Sequence, residues 1–421
     1  MQRVIAGLIV IAMAAAMIAL GWYYRPWSPY SPASIAELDV PERYTETFQH
    51  MDEFMPARMI AADAPAPLPR AAQPLNFTYQ WNGADKTLAD WVEESRATSL
   101  MILRDGEIVH EAYFHGAEAD TRHTSWSVGK SFVATLIGMA LAEGRIESLD
   151  DLAEAYAPSY AGTDFGRTSL RHLLMMTAGM EFNEEYAEGQ PSDVRPLFFN
   201  AFIMGREPDR MIAKIERNRD PGGDLHYASP TTHVLAAVAR GVYEAPLADI
   251  VEDRIWRRLG MEHQASWLQH KPGENGQAIG YCCLQAATVD YARFGEFYRV
   301  GGRWNGEALV SPDWAVAVGE AQAPFQEPGP DGPYPGRGYG LHFWLAEGYE
   351  PVFAAAGVFG QWIWIDRPRG VVLVQTSGDP TWDGRREETF HVFNALAEAI
   401  SPLAARREAA EAPEQEAEPD E

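Results

Sequence analysis

Cysteine and lysine are both scarce in this chain of 421 residues. It holds two cysteines, adjacent at Cys282-Cys283, and four lysines, Lys86, Lys130, Lys214 and Lys271. Two cysteines exclude a disulfide framework, and adjacency disfavours a bond between them. The apolar setting "GYCCLQAA" predicts buried packing for the pair ahead of a redox or metal role. Few cations beside 60 acidic residues leave a formal net charge of -26, which excludes nucleic acid as a partner, because phosphate binding needs clustered Lys and Arg. Seven of the acidic groups lie in the last fourteen residues, so 401–421 is read as an acidic, disordered tail. Internal repeats are also absent.

What is present begins with one unbroken apolar run, Val4 to Leu20, preceded by Arg3 and followed by Trp22-Tyr23-Tyr24. A signal-peptide core is about 7–15 residues long and a spanning helix about 20, so residues 1–24 read as a signal anchor, with a cleaved signal peptide as the other reading. Either one exports the rest of the chain to the periplasmic or extracellular face. Residues 25–75 recur in Pro and Ala around one amphipathic piece, which predicts a spacer with a short helix.

Residues 76–400 carry the signals of one α/β domain. "SLMILRDGEIVHEAYFHG" predicts a hairpin across Asp105-Gly106. Ser131 to Gly144 has helical periodicity, with Phe132, Leu136, Met139 and Ala140 recurring and Gly144 as the stop. A mainly helical lobe is expected over about 148–270, with "SLRHLLMMTAGM" and "TTHVLAAVARGVYE" as its clearest helices. A helix in "ATVDYARFGEFYRVGG" then leads to the strands "YGLHFWLA", "GQWIWID" and "GVVLVQTS", which should complete the first sheet, and a helix near Thr389 to Ile400 closes the domain.

Three familiar motifs fail on one residue each. Gly129-Lys130-Ser131 is the tail of a phosphate loop, but that loop needs glycine five residues before Gly129, where Thr124 stands. "HEAYFH" places His110 and His115 five apart, with Phe114 where a zinc protease has its second histidine. A G-x-S-x-G elbow would need glycine at Ser125.

The motif that survives is S-x-x-K. Ser127 and Lys130 at a helix start lie one turn apart on one face, where an amine can take the hydroxyl proton if burial and nearby positive charge lower its pKa. With four lysines and serine near ~7% usage, chance supplies such a match about one time in four. "LHYASPTTHVLAAVA" adds Tyr227 and Ser229 ahead of a second helix; a packing tyrosine and a plain N-cap are the competing readings.

Ser127, Lys130, Tyr227 and the strand ending at Gly357 follow one another as in the penicillin-recognising serine hydrolases. The chain resembles the class C beta-lactamase-like hydrolases, and among them looks most like the 6-aminohexanoate-oligomer hydrolases, over roughly residues 98 to 395. "SVGKSFVATLIGMALAEGRI", "LLMMTAGMEFNEEY", "YASPTTHVLA", "TVDYARFGEFYRVGG" and "AAGVFGQWIWIDRPRGVVLVQTSGDP" carry the resemblance.

The resemblance implies a beta-lactamase/transpeptidase-like α/β fold: an antiparallel sheet flanked by helices, with an inserted helical lobe, the site between the two, and no metal or organic cofactor. It implies acyl transfer by Ser127 with Lys130 and Tyr227 moving the proton, and an oxyanion hole made by the backbone N–H groups of Ser127 and Val358. Ser229 and Gly357 would support the network, and Tyr186 would contact substrate, against the reading of an ordinary surface-loop tyrosine. Departures matter too: Ala355-Ala356-Gly357 stands where beta-lactamases carry K-T-G, Ser229 replaces a commoner asparagine, and Phe359 a histidine. The expectation is an exported serine hydrolase acting on a small amide or ester. The alternatives are a beta-lactamase or D,D-peptidase, and a catalytically silent envelope-binding protein.

Overall fold

A computed structural model describes residues 2–187, 189–330 and 334–406. The acidic tail expected from residue 401 lies outside the described residues from 407 onward.

Helix α1 (Gln2–Tyr24) is a single apolar rod with mean hydropathy 2.7 and no part of that stretch buried against the protein. By length and composition it can cross a membrane, a test that a signal sequence also meets.

The segment after it is not the spacer that its Pro/Ala content predicts. Phe48, Met51 and Met55 are fully or nearly fully buried in the main core. Strand β1 (Ala57–Ile60) pairs antiparallel with a strand more than 200 residues later, Ala57 opposite Leu268. Composition reports local stiffness, whereas this segment is held by long-range partners that its own sequence does not reveal.

The expected hairpin forms β2 (Ala97–Arg104) and β3 (Glu107–Tyr113), turning through Asp105 at φ 52° and Gly106 at φ 85°. Two successive positive φ values match the right-handed twist of the strands, and glycine adopts the second without strain. The short strand β4 (His123–Thr124) leads into a single 3₁₀ turn, Trp126–Val128, and then helix α2 (Gly129–Ala142). Every residue of α2 from Gly129 to Ala140 is buried, so its apolar stripe is only part of a helix enclosed on all sides.

Between 148 and 264 the chain is helices and loops, the longest helix being α3 (Ser229–Tyr243). "SLRHLLMMTAGM" forms only the short helix Leu170–Leu174, ended by Met176 in the left-handed region at φ 55°. Strands β5 (Ala265–Leu268) and β6 (Leu284–Ala286) join β1 and β4 in a four-stranded sheet of order β1-β5-β6-β4.

Helix α4 (Thr288–Arg299) follows, then β7 (Arg337–Tyr339), β8 (Trp344–Ala346), β9 (Phe353–Gly357), β10 (Gln361–Asp366) and β11 (Val371–Ser377), and finally α5 (Arg386–Ile400). The seven-stranded sheet runs β7-β8-β9-β10-β11-β2-β3, antiparallel throughout. The stretch "YGLHFWLA" is two strands rather than one, because His342 takes φ 63° and turns inward, its Nδ1 at 2.8 Å from the Leu174 carbonyl. One face of the sheet is covered by α5, with Trp362, Trp364, Phe390 and Phe393 in contact. The other face packs on the larger core that contains α2 and α4, where Phe132 stacks on Phe294 with ring centres 3.8 Å apart.

Candidate active site

Ser127 sits in the 3₁₀ turn that connects β4 to α2. The chain arrives there pinned on two sides: the Thr124 N–H donates to the Phe48 carbonyl at 3.0 Å and the Ser125 N–H to the Leu284 carbonyl at 2.7 Å. Trp126 then takes φ 41°, a left-handed conformation that a bulky residue adopts only when its surroundings hold it there. Phe48, Phe359 and Phe198 supply that hold, with ring centres 5.2, 5.5 and 6.1 Å from Trp126. The outcome is a partly exposed Ser127 on a rigid step, with Lys130 one turn further on and 2% exposed.

Lys130 Nζ donates to Ser127 Oγ at 2.8 Å and to the Tyr281 carbonyl at 2.7 Å. Burial brings its pKa down to about 8, against an upward pull from the Glu184 carboxylate. The positive neighbour expected from sequence is not what lowers it. Desolvation does the work, and the charge acting on Lys130 is the opposite one.

Tyr227 faces the same pair. Its ring centre lies 5.2 Å from Lys130 Nζ, and Ser127 is near enough to its hydroxyl to pull the phenol pKa down against the larger effect of burial. Burial first, and Glu184 second, hold the phenol well above its ordinary pKa. Tyr227 therefore stays protonated at neutral pH, while Lys130 is within reach of neutrality. An aromatic wall fixes the ring, which stacks on Trp344 at 5.4 Å and lies edge-on to Tyr339 at 6.0 Å.

Glu184 is the site residue that sequence reasoning missed. It accepts the Ser229 N–H at 2.5 Å, the Ser229 hydroxyl at 2.7 Å and the Tyr186 hydroxyl at 2.7 Å. Ser229 is thus bonded to this carboxylate and buried, and Tyr186 is half-buried rather than an open surface residue. The signal was at hand in "NEEY", two residues before Tyr186, yet nothing local says that Glu184 spans to the start of α3.

The end of β9 closes the site from the sheet side. A Cβ on Gly357 would stand 2.7 Å from the Ser125 carbonyl oxygen, 3.1 Å from the Ser127 nitrogen and 3.1 Å from the Trp126 Cβ. Glycine is required because the strand runs directly alongside the amide of Ser127. Val358 follows at once. The neighbouring Phe359, at φ 64°, turns its ring into the cluster of Tyr44, Phe48 and Trp126.

The cysteine expectation needs correction. Cys282 and Cys283 are buried as predicted, but they form a disulfide with each other. Cys283 adopts φ 77°, which lets the adjacent side chains meet; an ordinary extended strand would point them apart. The pair follows Tyr281, whose carbonyl receives Lys130. Among the described residues no group of three or more His, Cys, Asp or Glu is arranged to hold a metal ion.

A family profile described as Beta-lactamase matches residues 84–396. The chain belongs to the beta-lactamase family, a class of hydrolases, and its antiparallel sheet with flanking helices is that family's fold. Within it, the chain is similar to the 6-aminohexanoate-dimer hydrolase of Paenarthrobacter ureafaciens, 27% identical over 301 residues, which cover 70% of this chain and 76% of that one. Among solved structures, a Bacillus anthracis protein named as a candidate 6-aminohexanoate-dimer hydrolase superimposes with a TM-score of 0.75 at 23% identity, covering 85% of this chain and 94% of its own. EstCE1, described as a hydrolase with promiscuous acyltransferase activity, reaches a TM-score of 0.57 at 17% identity, over 74% and 96% of the two chains.

Proposed function

We propose that this hydrolase cleaves a small amide or ester through an acyl-enzyme on Ser127. The observation that carries the reading is the 2.8 Å contact between the hydroxyl of Ser127 and a Lys130 amine that burial has brought close to neutrality. In the neutral form Lys130 takes the Ser127 proton as Oγ bonds to the substrate carbonyl carbon. The oxyanion that forms is received by the backbone N–H groups of Ser127 and Val358, a reading supported by the close approach of Gly357 to the Ser127 nitrogen. As the carbon–nitrogen or carbon–oxygen bond breaks, Tyr227 gives its hydroxyl proton to the departing atom and recovers one from Lys130. Water then repeats the sequence on the acyl-enzyme and frees Ser127.

Glu184, Ser229 and Tyr186 hold the loop around this centre. The amide class is carried over from the relative named for hydrolysing the 6-aminohexanoate dimer. We place the enzyme on the exported side of a membrane, anchored by α1, because the helix is apolar over its length and packs into no core.

Hydrolysis of beta-lactams is the second reading, favoured by the family match and by a beta-lactamase of Pseudomonas fluorescens that is 29% identical over 143 residues, 32% of this chain and 34% of its own. Against it stands Ala355-Ala356-Gly357, with no lysine on that strand. Both readings are tested on the full-length chain in detergent with a serine-directed fluorophosphonate, the adduct being located by peptide mass. The expected label is on Ser127 and is lost in Ser127→Ala; equal labelling of the variant sinks the acyl-enzyme. Nitrocefin turnover much faster than that of 4-nitrophenyl esters would replace the first reading by the second.

A further inference from the structure

Beside the site stands a second, half-buried cation that the chemistry above does not use. Arg337, on the outermost strand β7, lays its guanidinium over Trp344 at 4.5 Å from the ring centre and beside Tyr334 at 5.4 Å. Among the described residues that guanidinium has no hydrogen-bond acceptor and no carboxylate partner, and its Nε is buried without one. Other arginines of the domain are engaged: Arg240 with Asp209, Arg293 with Glu262, Arg369 with Asp366. The acidic residue acting on Arg337 from nearby, Asp383, is itself paired with Arg386 at 3.3 Å. A shielded Nε without an acceptor is costly, and the half-buried guanidinium keeps donors free, so the arrangement points to a partner that arrives from outside.

Its position indicates which part of a substrate would meet it. Trp344 is the ring on which Tyr227 stacks at 5.4 Å, and the Tyr227 N–H donates to the Tyr334 hydroxyl at 2.9 Å. Arg337 and Tyr227 therefore share the Trp344 ring, and Arg337 is near enough to act electrostatically on the Tyr227 hydroxyl. Tyr227 serves the departing atom, so what extends past it is the leaving group. Ala356, where relatives with K-T-G carry a polar side chain, packs its methyl against this same cluster and brings no charge.

We propose that Arg337 is a specificity-determining residue that binds a carboxylate on the leaving-group side of the substrate. The inference rests on the Ser127 acyl-enzyme reading and adds the substrate class to it. Burial lowers the Arg337 pKa to about 10, which leaves the group charged at neutral pH. A guanidinium binds a carboxylate through two parallel N–H donors, a geometry that lysine does not reproduce.

The test uses the full-length enzyme and matched acetyl esters: those of 4-hydroxybenzoic acid and of 3-(4-hydroxyphenyl)propanoic acid, each against its primary carboxamide. 4-Nitrophenyl succinate against 4-nitrophenyl butyrate places the carboxylate on the acyl side. The natural enzyme is expected to favour at least one leaving-group carboxylate over its carboxamide by roughly 10- to 100-fold in kcat/KM, mainly through KM. Arg337→Met should erase that preference by slowing the carboxylate ester far more than its carboxamide, while Arg337→Lys should keep part of it. If Arg337→Met does not fold, Arg337→Gln takes its place in the same comparison. Three results would overturn the proposal: no preference in the natural enzyme for either pair, equal slowing of both members of a pair by the variants, or a preference confined to the acyl-side carboxylate. Ester turnover that survives Ser127→Ala would instead overturn the acyl-enzyme reading on which the proposal rests, so the two failures are told apart.

Discussion

Lys130, buried, and Arg337, half-buried, are two cations on either side of the comparison, and desolvation lowers the pKa of both. Lys130 starts nearer to neutrality, is 2% exposed, and has its amine between the Ser127 hydroxyl and the Tyr281 carbonyl, so at about 8 it can shed its proton in the working range. Arg337 starts higher, rests on the face of Trp344, and keeps its charge. On the two proposals above, the same desolvation suits one side chain to act as a base and the other as an anion receptor, because the intrinsic pKa values differ by about two units or more.

The comparison can be broken most sharply at the Lys130 end. Ser127→Ala removes the nucleophile and should lower 4-nitrophenyl acetate turnover by about 10⁴-fold or more, read by absorbance at 400 nm on a sample whose melting temperature matches the natural enzyme. Lys130→Met should cost about 10²- to 10⁴-fold. In the natural enzyme kcat/KM should rise with pH through about 8, because below that value Lys130 is protonated and cannot accept the Ser127 proton. A profile flat from pH 6 to 10 would remove Lys130 from the role of base.

Gly357→Val tests the sheet side. Its side chain would meet the Ser125 carbonyl and the Ser127 amide, so a loss of about 1–3 kcal/mol in unfolding free energy is expected, with activity falling further than stability alone predicts. Urea melts beside ester assays separate the two effects. The smallest expected effect is a shift: Glu184→Gln removes the charge that raises the Lys130 pKa, so the rising limb of the pH profile should move to lower pH. Movement to higher pH, or none, would show that Glu184 acts only by holding Ser229 and Tyr186.

Legibility along the chain followed the range of the interactions. The Asp105-Gly106 hairpin and the turn that presents Ser127 and Lys130 depend on residues within four positions of each other, and both were readable. Phe48 was not: it reads as part of a Pro/Ala-rich spacer, yet its carbonyl receives the Thr124 N–H and its ring packs on Trp126. Glu184 and Ser229 are 45 residues apart, and Arg337 lies more than 200 residues from Ser127. No spacing rule connects such positions. Cys282 and Cys283 misled for a related reason, since the expectation was drawn from their adjacency and Cys283 lies at φ 77°.

By itself, the sequence determined the Ser127–Lys130 pair, the apolar N-terminal run and the order of the main strands and helices, all of which rest on local periodicity, turn chemistry or a three-residue spacing. Tertiary structure alone decided the lowered pKa of Lys130 and the freedom of the distant cation. Desolvation and the presence or absence of a partner depend on which far parts of the chain surround a group, and only folding brings those parts together.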